Sequence, residues 1–299
     1  MGLGMTTLSL LVASLTSCGG DGGAEGRDGR VKVITTLPLF ADFVRQIGGD
    51  RVEVSSLVPT GADPHTWEPS PDDIRRVSDA DIAFANGLDL EPSAVRVIEA
   101  NIEQDTPFIM LADSILLGPV GRGESDNPHL WLDVRGADVY ARVVADALGA
   151  IDEANVSTIE ENKTRYSGDL RELDEYVKGG IATISEDRRK LITTHDAFEY
   201  LGRAYGLEVV AVVADSPGQE PSPEDVADIG RAIEREGVPA VFVEPQAETE
   251  SEILRQAGED AGVQVCALYS DSLDDKVTNY IELMRFNADE LARCLGDSP

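Results

Sequence analysis

Three histidines occur in 299 residues, and each stands in a similar setting. His65 lies in GADPHTWEPSP, His129 in NPHLWLDV and His195 in ITTHDAFEYL. All three follow an apolar run and sit beside Pro, Asp or Thr. Asp271, in LYSDSL, follows another apolar run. Three imidazoles and a carboxylate are a donor set for Zn2+, which takes His nitrogen at about 2.0–2.1 Å and carboxylate oxygen at about 2.0–2.2 Å. The same set holds Mn2+ or Fe2+, because selection among divalent ions rests partly on geometry and supply. Neutral imidazoles cost little to desolvate, and one carboxylate offsets part of the ion's charge. Binding by such a set weakens in acid, as imidazoles with a reference pKa near ~6.5 take up protons.

Each residue also has a plainer reading. A histidine after a strand is usually a loop or core residue making one hydrogen bond. TTHDAF can be a helix start whose Asp196 favours the dipole. SDSL can be a cap at Asp271 or Ser272. Trp67 and Trp131 read as wall packing rather than a stacking surface. The case for a joint site comes from the elements that carry the four residues.

Short β-branched runs alternate with helical patterns, which predicts an α/β fold with parallel sheets. Strands are expected at 31–36, 52–58, 81–86 and 107–111, then at 190–194, 208–213, 240–244 and 263–269. Four and four predict two similar lobes, each a four-stranded sheet flanked by helices. Ser70-Pro71 and Ser222-Pro223 mark helix starts, with Pro at the first helical position. Between the lobes, Tyr166, Leu170, Leu173 and Val177 recur at helical spacing with almost no strand signal around them. A helix from about 155 to 178 would span ~35 Å as a stiff rod. The crossing has no Gly-Ser hinge, so wide opening of the lobes is not expected. The resulting partition is 1–18 signal, 19–30 tether, 31–154 first lobe, 155–184 bridging helix and 185–299 second lobe. In open parallel sheets ligands gather beyond the carboxyl ends of the strands. His65, His129, His195 and Asp271 all fall there, two per lobe, and they can converge if the lobes face each other.

The formal charge is −31, from 56 acidic and 25 basic residues. Phosphate binding needs clustered cations, so nucleic acid and anionic lipid surfaces are poor partners. The acidity serves solubility and can gather cations. Residues 1–18, MGLGMTTLSLLVASLTSC, are an apolar segment too short to span a bilayer comfortably, and end in small residues and Cys18. They resemble a bacterial lipoprotein signal, although no Lys or Arg precedes the apolar run. GGDGGAEGRDGR then reads as a flexible tether, which suits an anchor at lipidated Cys18. An ordinary secretory signal cleaved elsewhere is the alternative. Cys266 and Cys294 are either a bridge stapling the last helix to the sheet or two separate buried thiols.

At this point the chain resembles a known family. VPTGADPHTWEPSPDDIRRVSDADIAFANGLDLE, NPHLWLDV, TTHDAFEYLGRAYGL, VFVEPQAETE and ALYSDSL are similar, in order, to the signatures of the cluster A-I (cluster 9) metal-binding lipoproteins. These are the solute-binding subunits of zinc and manganese ABC importers. The resemblance covers about residues 31–296. It implies two α/β lobes joined by a rigid backbone helix, with the metal held between them by His65, His129, His195 and Asp271. It implies an ABC permease and its ATPase as partners, an extracytoplasmic location and a monomer. Manganese members often carry Glu at the third ligand position, so His195 favours zinc. Many zinc members carry a His-rich loop before the second ligand, and LLGPVGRGESDNPH has none before His129. Glu244 and Gln246 stand where a side chain could orient a ligating histidine, or merely bond a strand end. The competing function is a zinc hydrolase with Asp271 as base. It lacks a His-Glu-x-x-His run, and four protein donors leave little room for water. Relatives are also labelled adhesins, but nothing here encodes a host-binding surface.

Overall fold

The computed structural model describes residues 1, 29–117, 127–215, 217–219 and 221–296. Cys18 and nearly all of the signal and tether lie outside the described residues. Two four-stranded sheets form, and every pairing is parallel. The first holds β1 (Val31–Thr35), β2 (Val52–Ser56), β3 (Ile82–Ala85) and β4 (Phe108–Met110) in the order β2-β1-β3-β4. The second holds β5 (Lys190–His195), β6 (Glu208–Ala214), β7 (Ala240–Val243) and β8 (Gln264–Ala267) in the order β6-β5-β7-β8. The orders are the same, so the lobes share one topology. In each, the order reverses beside the first strand, and a crevice opens there at the carboxyl ends.

Several strands are shorter than the apolar runs. The second run was expected to 58 and the eighth over 263–269, but β2 ends at Ser56 and β8 spans Gln264–Ala267. The surplus apolar residues are buried in the loops that leave the sheets: Leu57, Val58, Leu268 and Tyr269 are all under 5 % exposed. An apolar run thus marks burial, and only part of it is sheet.

Helices cover the sheets: α1 (Pro38–Gly48), α2 (Pro71–Ser78) and α3 (Pro92–Asn101) in the first lobe, α6 (Glu199–Tyr205), α7 (Pro223–Glu236), α8 (Glu248–Ala261) and α9 (Tyr280–Leu295) in the second. At the start of α7, Asp225 N–H donates to Ser222 Oγ at 3.2 Å and Ser222 N–H to Asp225 Oδ2 at 2.8 Å, a reciprocal cap. Between the lobes run α4 (Val134–Ile151) and α5 (Val156–Ala182). The 27 residues of α5 make a rod of about 40 Å. Its buried face is Ile159, Tyr166, Leu170, Leu173, Val177 and Ile181, packed on α1, α4 and α9. One hydrophobic cluster includes Phe40 and Trp131 from the first lobe, Tyr166 from α5, and Phe198 and Leu283 from the second. The lobes therefore share a core at their base.

Cys266 on β8 and Cys294 on α9 form a disulfide, which ties the last helix to the edge strand of the second sheet. No helix among the described residues is long and apolar enough to cross a membrane.

Candidate metal centre

His195 is the last residue of β5, so the strand itself aims it out of the sheet's carboxyl end. Asp271 stands four residues beyond β8, in the loop toward α9. His65 lies in the loop between β2 and α2. His129 was expected after the fourth strand, beyond a Gly-rich loop. It lies nineteen positions past the end of β4, immediately before a 3-10 turn (Leu130–Leu132) that leads into α4. Gly136 allows this: a Cβ there would collide with the Leu130 carbonyl, so the first turn of α4 can press against the residue after His129.

The structure brings all four residues together. One donor atom from each lies within 4.8 Å of the others. His129 Nε2 is 3.2 Å from Asp271 Oδ1, His195 Nε2 is 3.4 Å from Asp271 Oδ2, and the two imidazole Nε2 atoms are 3.3 Å apart. His65 Nε2 is 3.8 Å from Asp271 Oδ2. A tetrahedron of ligands at about 2.1 Å from an ion has edges of about 3.4 Å, so the spacing suits a small divalent cation. His65 Nε2 and both carboxylate oxygens of Asp271 are buried without a hydrogen-bond partner. Leaving such atoms bare costs about 1–3 kcal/mol each, more for a charged group, and a cation in the middle removes that cost.

The neighbours settle which ring nitrogens face inward. Asn127 Oδ1 lies 2.9 Å from His129 Nδ1, and Glu244 Oε1 lies 2.9 Å from His195 Nδ1. An oxygen acceptor there keeps the proton on Nδ1 and turns the Nε2 lone pair toward the centre. Glu244 is itself held by the hydroxyls of Thr194 and Ser270 and by Gln246 Nε2 at 3.2 Å. Asp63 Oδ1 accepts the His65 backbone N–H at 2.8 Å.

Burial pulls the His65 pKa down to about 4, so this imidazole is neutral and free to ligate at neutral pH. Burial would do the same to His195, but the carboxylates of Glu244 and Asp271 outweigh it and hold a proton there. Burial would raise Asp271, yet His129 and His195 keep it well below the usual carboxylate range. Burial, then the charge of Asp271, pushes Asp63 up to about 7. A cation entering this centre would have to displace the His195 proton, so uptake would release protons.

Glu244 and Gln246 touch this network, as the residue types allow. Asn127, Asp63, Thr194 and Ser270 were not singled out in the sequence. A signal for Thr194 exists: VITTL at 33–37 and LITTH at 191–195 are the same phrase in the two lobes. In both, the first threonine hydroxyl bonds the backbone carbonyl two residues on, at 2.9 Å, and the second bonds a buried glutamate, Glu91 in one lobe and Glu244 in the other. Leu37 occupies the place that His195 takes in the second lobe. Trp131 is fully buried, as wall packing requires, but its Nε1–H also donates to Ser270 carbonyl at 2.9 Å across the lobes.

Two like-folded lobes on a helical spine, with a closed nitrogen–oxygen donor set between them, define a metal-binding protein of the solute-capturing class. Residues 33–294 match the family described as zinc-uptake complex component A, periplasmic (ZnuA), and the chain belongs to that family. It is 30% identical over 306 residues to the metal ABC transporter substrate-binding lipoprotein FimA of Streptococcus parasanguinis, covering 97% of this chain and 98% of the relative. It is 30% identical to the manganese-binding lipoprotein MntA of Halalkalibacterium halodurans, over 91% of each. Among solved structures, the periplasmic zinc-binding protein TroA of Treponema pallidum matches with a TM-score of 0.82 at 27% identity, over 90% of this chain and 100% of that one. The chain is thus a substrate-binding component of a metal ABC transporter and not an enzyme. The hydrolase alternative finds no support.

Proposed function

We propose that the protein captures one divalent transition metal ion between its lobes, with His65, His129, His195 and Asp271 as the ligands, and delivers it to an ABC permease driven by its ATPase. Glu244 and Gln246 orient the centre from behind. The observation that carries this reading is the set of buried donors without partners, His65 Nε2 and both Asp271 oxygens, facing two inward imidazole nitrogens. Zinc is favoured over manganese and iron, since three nitrogens and a carboxylate at tetrahedral spacing suit it. Relatives are named for manganese and for iron, and TroA for zinc, so the choice rests on this chain's donors. Residues 31–154 and 185–299 serve as the two lobes and 155–184 as the spine. The protein works as a monomer outside the membrane, anchored through lipidated Cys18.

Metal analysis of protein purified without added metal, followed by competition between zinc and manganese, tests this. One equivalent of ion, with zinc displacing manganese, is the expected result. Absence of stoichiometric binding to either ion overturns the proposal, and preference for manganese overturns the zinc assignment alone.

A further inference from the structure

The lobes are not joined equally all round the centre. Beneath it, the joints are hydrogen bonds from buried donors. Asn127 Nδ2 donates to the Asp196 carbonyl at 2.6 Å, and Trp131 Nε1 to the Ser270 carbonyl at 2.9 Å. The loop that carries His65 is tied down as well. Gly61 N–H reaches Ser272 Oγ at 2.9 Å and the Leu273 carbonyl at 3.0 Å, and Trp67 packs on the first lobe's own core. At the rim the joint is of another kind. Gly218, in the segment between β6 and α7, lies against Thr66 of the first lobe so closely that a Cβ on it would stand 2.6 Å from Thr66 Cγ2. Its φ of +80° also belongs to the region that favours glycine. This is packing without a hydrogen bond between the two residues. Among the described residues, Glu250 of its own lobe, 4 % exposed at the start of α8, accepts the Gly218 N–H at 2.9 Å.

Thr66 is the residue after His65. Of the four donor side chains, that of His65 is 9% exposed, while those of His129, His195 and Asp271 are at 2%, 0% and 0%. An ion leaving between pinned loops has its least obstructed way past His65, beside the exposed contact between Thr66 and Gly218. We infer that Gly218, held by Glu250 and pressed on Thr66, is a latch that sets how fast the ion leaves. The inference rests on the metal-binding reading above and adds the regulation of that site.

The test is release of zinc from the loaded full chain into excess chromogenic chelator, followed by rapid mixing. Gly218→Ala forces a side chain into Thr66 and into a left-handed conformation. Release is expected to quicken by about tenfold, the factor that corresponds to the cost of a non-glycine residue there. Glu250→Ala removes the acceptor of the Gly218 N–H and quickens release in the same direction. Thr66→Ser removes the methyl group in the way, so the double variant Thr66→Ser/Gly218→Ala releases more slowly than Gly218→Ala. Gly237, with φ +62° and nothing within 4 Å of a built Cβ, gives a control for strain alone, and Gly237→Ala leaves release unchanged. Release at the wild-type rate in Gly218→Ala overturns the latch, whether or not Glu250→Ala folds. So does equal acceleration in Gly237→Ala. A wild-type chain that takes up no metal overturns the metal-binding reading and the latch with it. A wild type that binds, with variants that release unchanged, overturns the latch alone.

Discussion

At the scale of single residues, the centre divides into donors and the groups that aim them. His129→Ala removes a donor and its support from Asn127 while leaving the apo fold largely intact, so titration calorimetry should show a marked loss of affinity with an unchanged circular dichroism spectrum. Glu244→Ala leaves every donor in place but frees the His195 ring. Groups of this kind commonly matter by about 10- to 100-fold in metal affinity, and a loss in that range is expected. Glu91 makes a contrasting case, as the first lobe's counterpart of Glu244 without a histidine to orient. It is fully buried, its Oε1 accepts from Thr36 Oγ1 at 2.8 Å and Asn86 N–H at 2.6 Å, and its Oε2 has no partner. Burial pushes its pKa from 4.5 up to about 7. The folded chain thus holds this proton more tightly than the unfolded chain does. The stability that comes with it is complete below the ordinary carboxylate range and is lost as pH rises through about 7, to the extent of about 3 kcal/mol. Glu91→Gln keeps an acceptor and buries no charge. Denaturant unfolding of the metal-free proteins should show the variant gaining on the wild type between pH 4.5 and 8, and parallel pH profiles would contradict it.

At the scale of elements, the sequence reveals a strand's existence more readily than its end. The eight strands follow from β-branched runs, and the spine follows from the 3–4 spacing of Tyr166, Leu170, Leu173 and Val177 on α5. Placing His65, His195 and Asp271 near strand ends needed only that alternation. His129 was harder, because a long connection separates it from β4 and local pattern carries no information about where such a connection returns. Asn127 and Ser270 were not legible for a related reason. Short polar residues in loops have no periodicity: Asn127 bonds His129 only two positions away, which no pattern flags, and Ser270 reaches Glu244 only once β7 and β8 pair. The disulfide was one of two open readings, since spacing does not fix the distance between β8 and α9. Its 28-residue separation corresponds to a loop-closure contribution of about 3–4 kcal/mol. Replacing both Cys266 and Cys294 by Ala should lower unfolding stability by about 2–4 kcal/mol. Asp271 lies on a loop that Tyr269 N–H also ties to Asn287 Oδ1 on α9 at 2.8 Å, so metal affinity should change little. A large loss of affinity would show that the bridge itself positions Asp271.

At the scale of the whole molecule, the core argues against lobes that unfold independently. The cluster at the base runs from Phe40 and Trp131 through Tyr166 and Leu170 to Phe198, Leu283 and Leu291 without a break between lobes. Tyr280 on α9 strengthens this joint: its hydroxyl donates to the Trp131 carbonyl at 2.6 Å and its N–H to Asp42 Oδ2 at 3.0 Å. Opening one lobe exposes the other's apolar base, which couples the two. The four donors lie above the same seam, two from each side, so an ion bound there stabilises only the assembled pair. An ion at a hundred times its Kd adds about 2.7 kcal/mol to the stability of whatever unit must unfold to release it. The metal-free chain should therefore melt in one calorimetric transition, and saturating zinc should move that whole transition upward. His129→Ala should still melt in one step but respond weakly to zinc. Two transitions, with zinc moving only one, would mean that the donors belong to a single lobe in solution and that the shared base does not couple the halves.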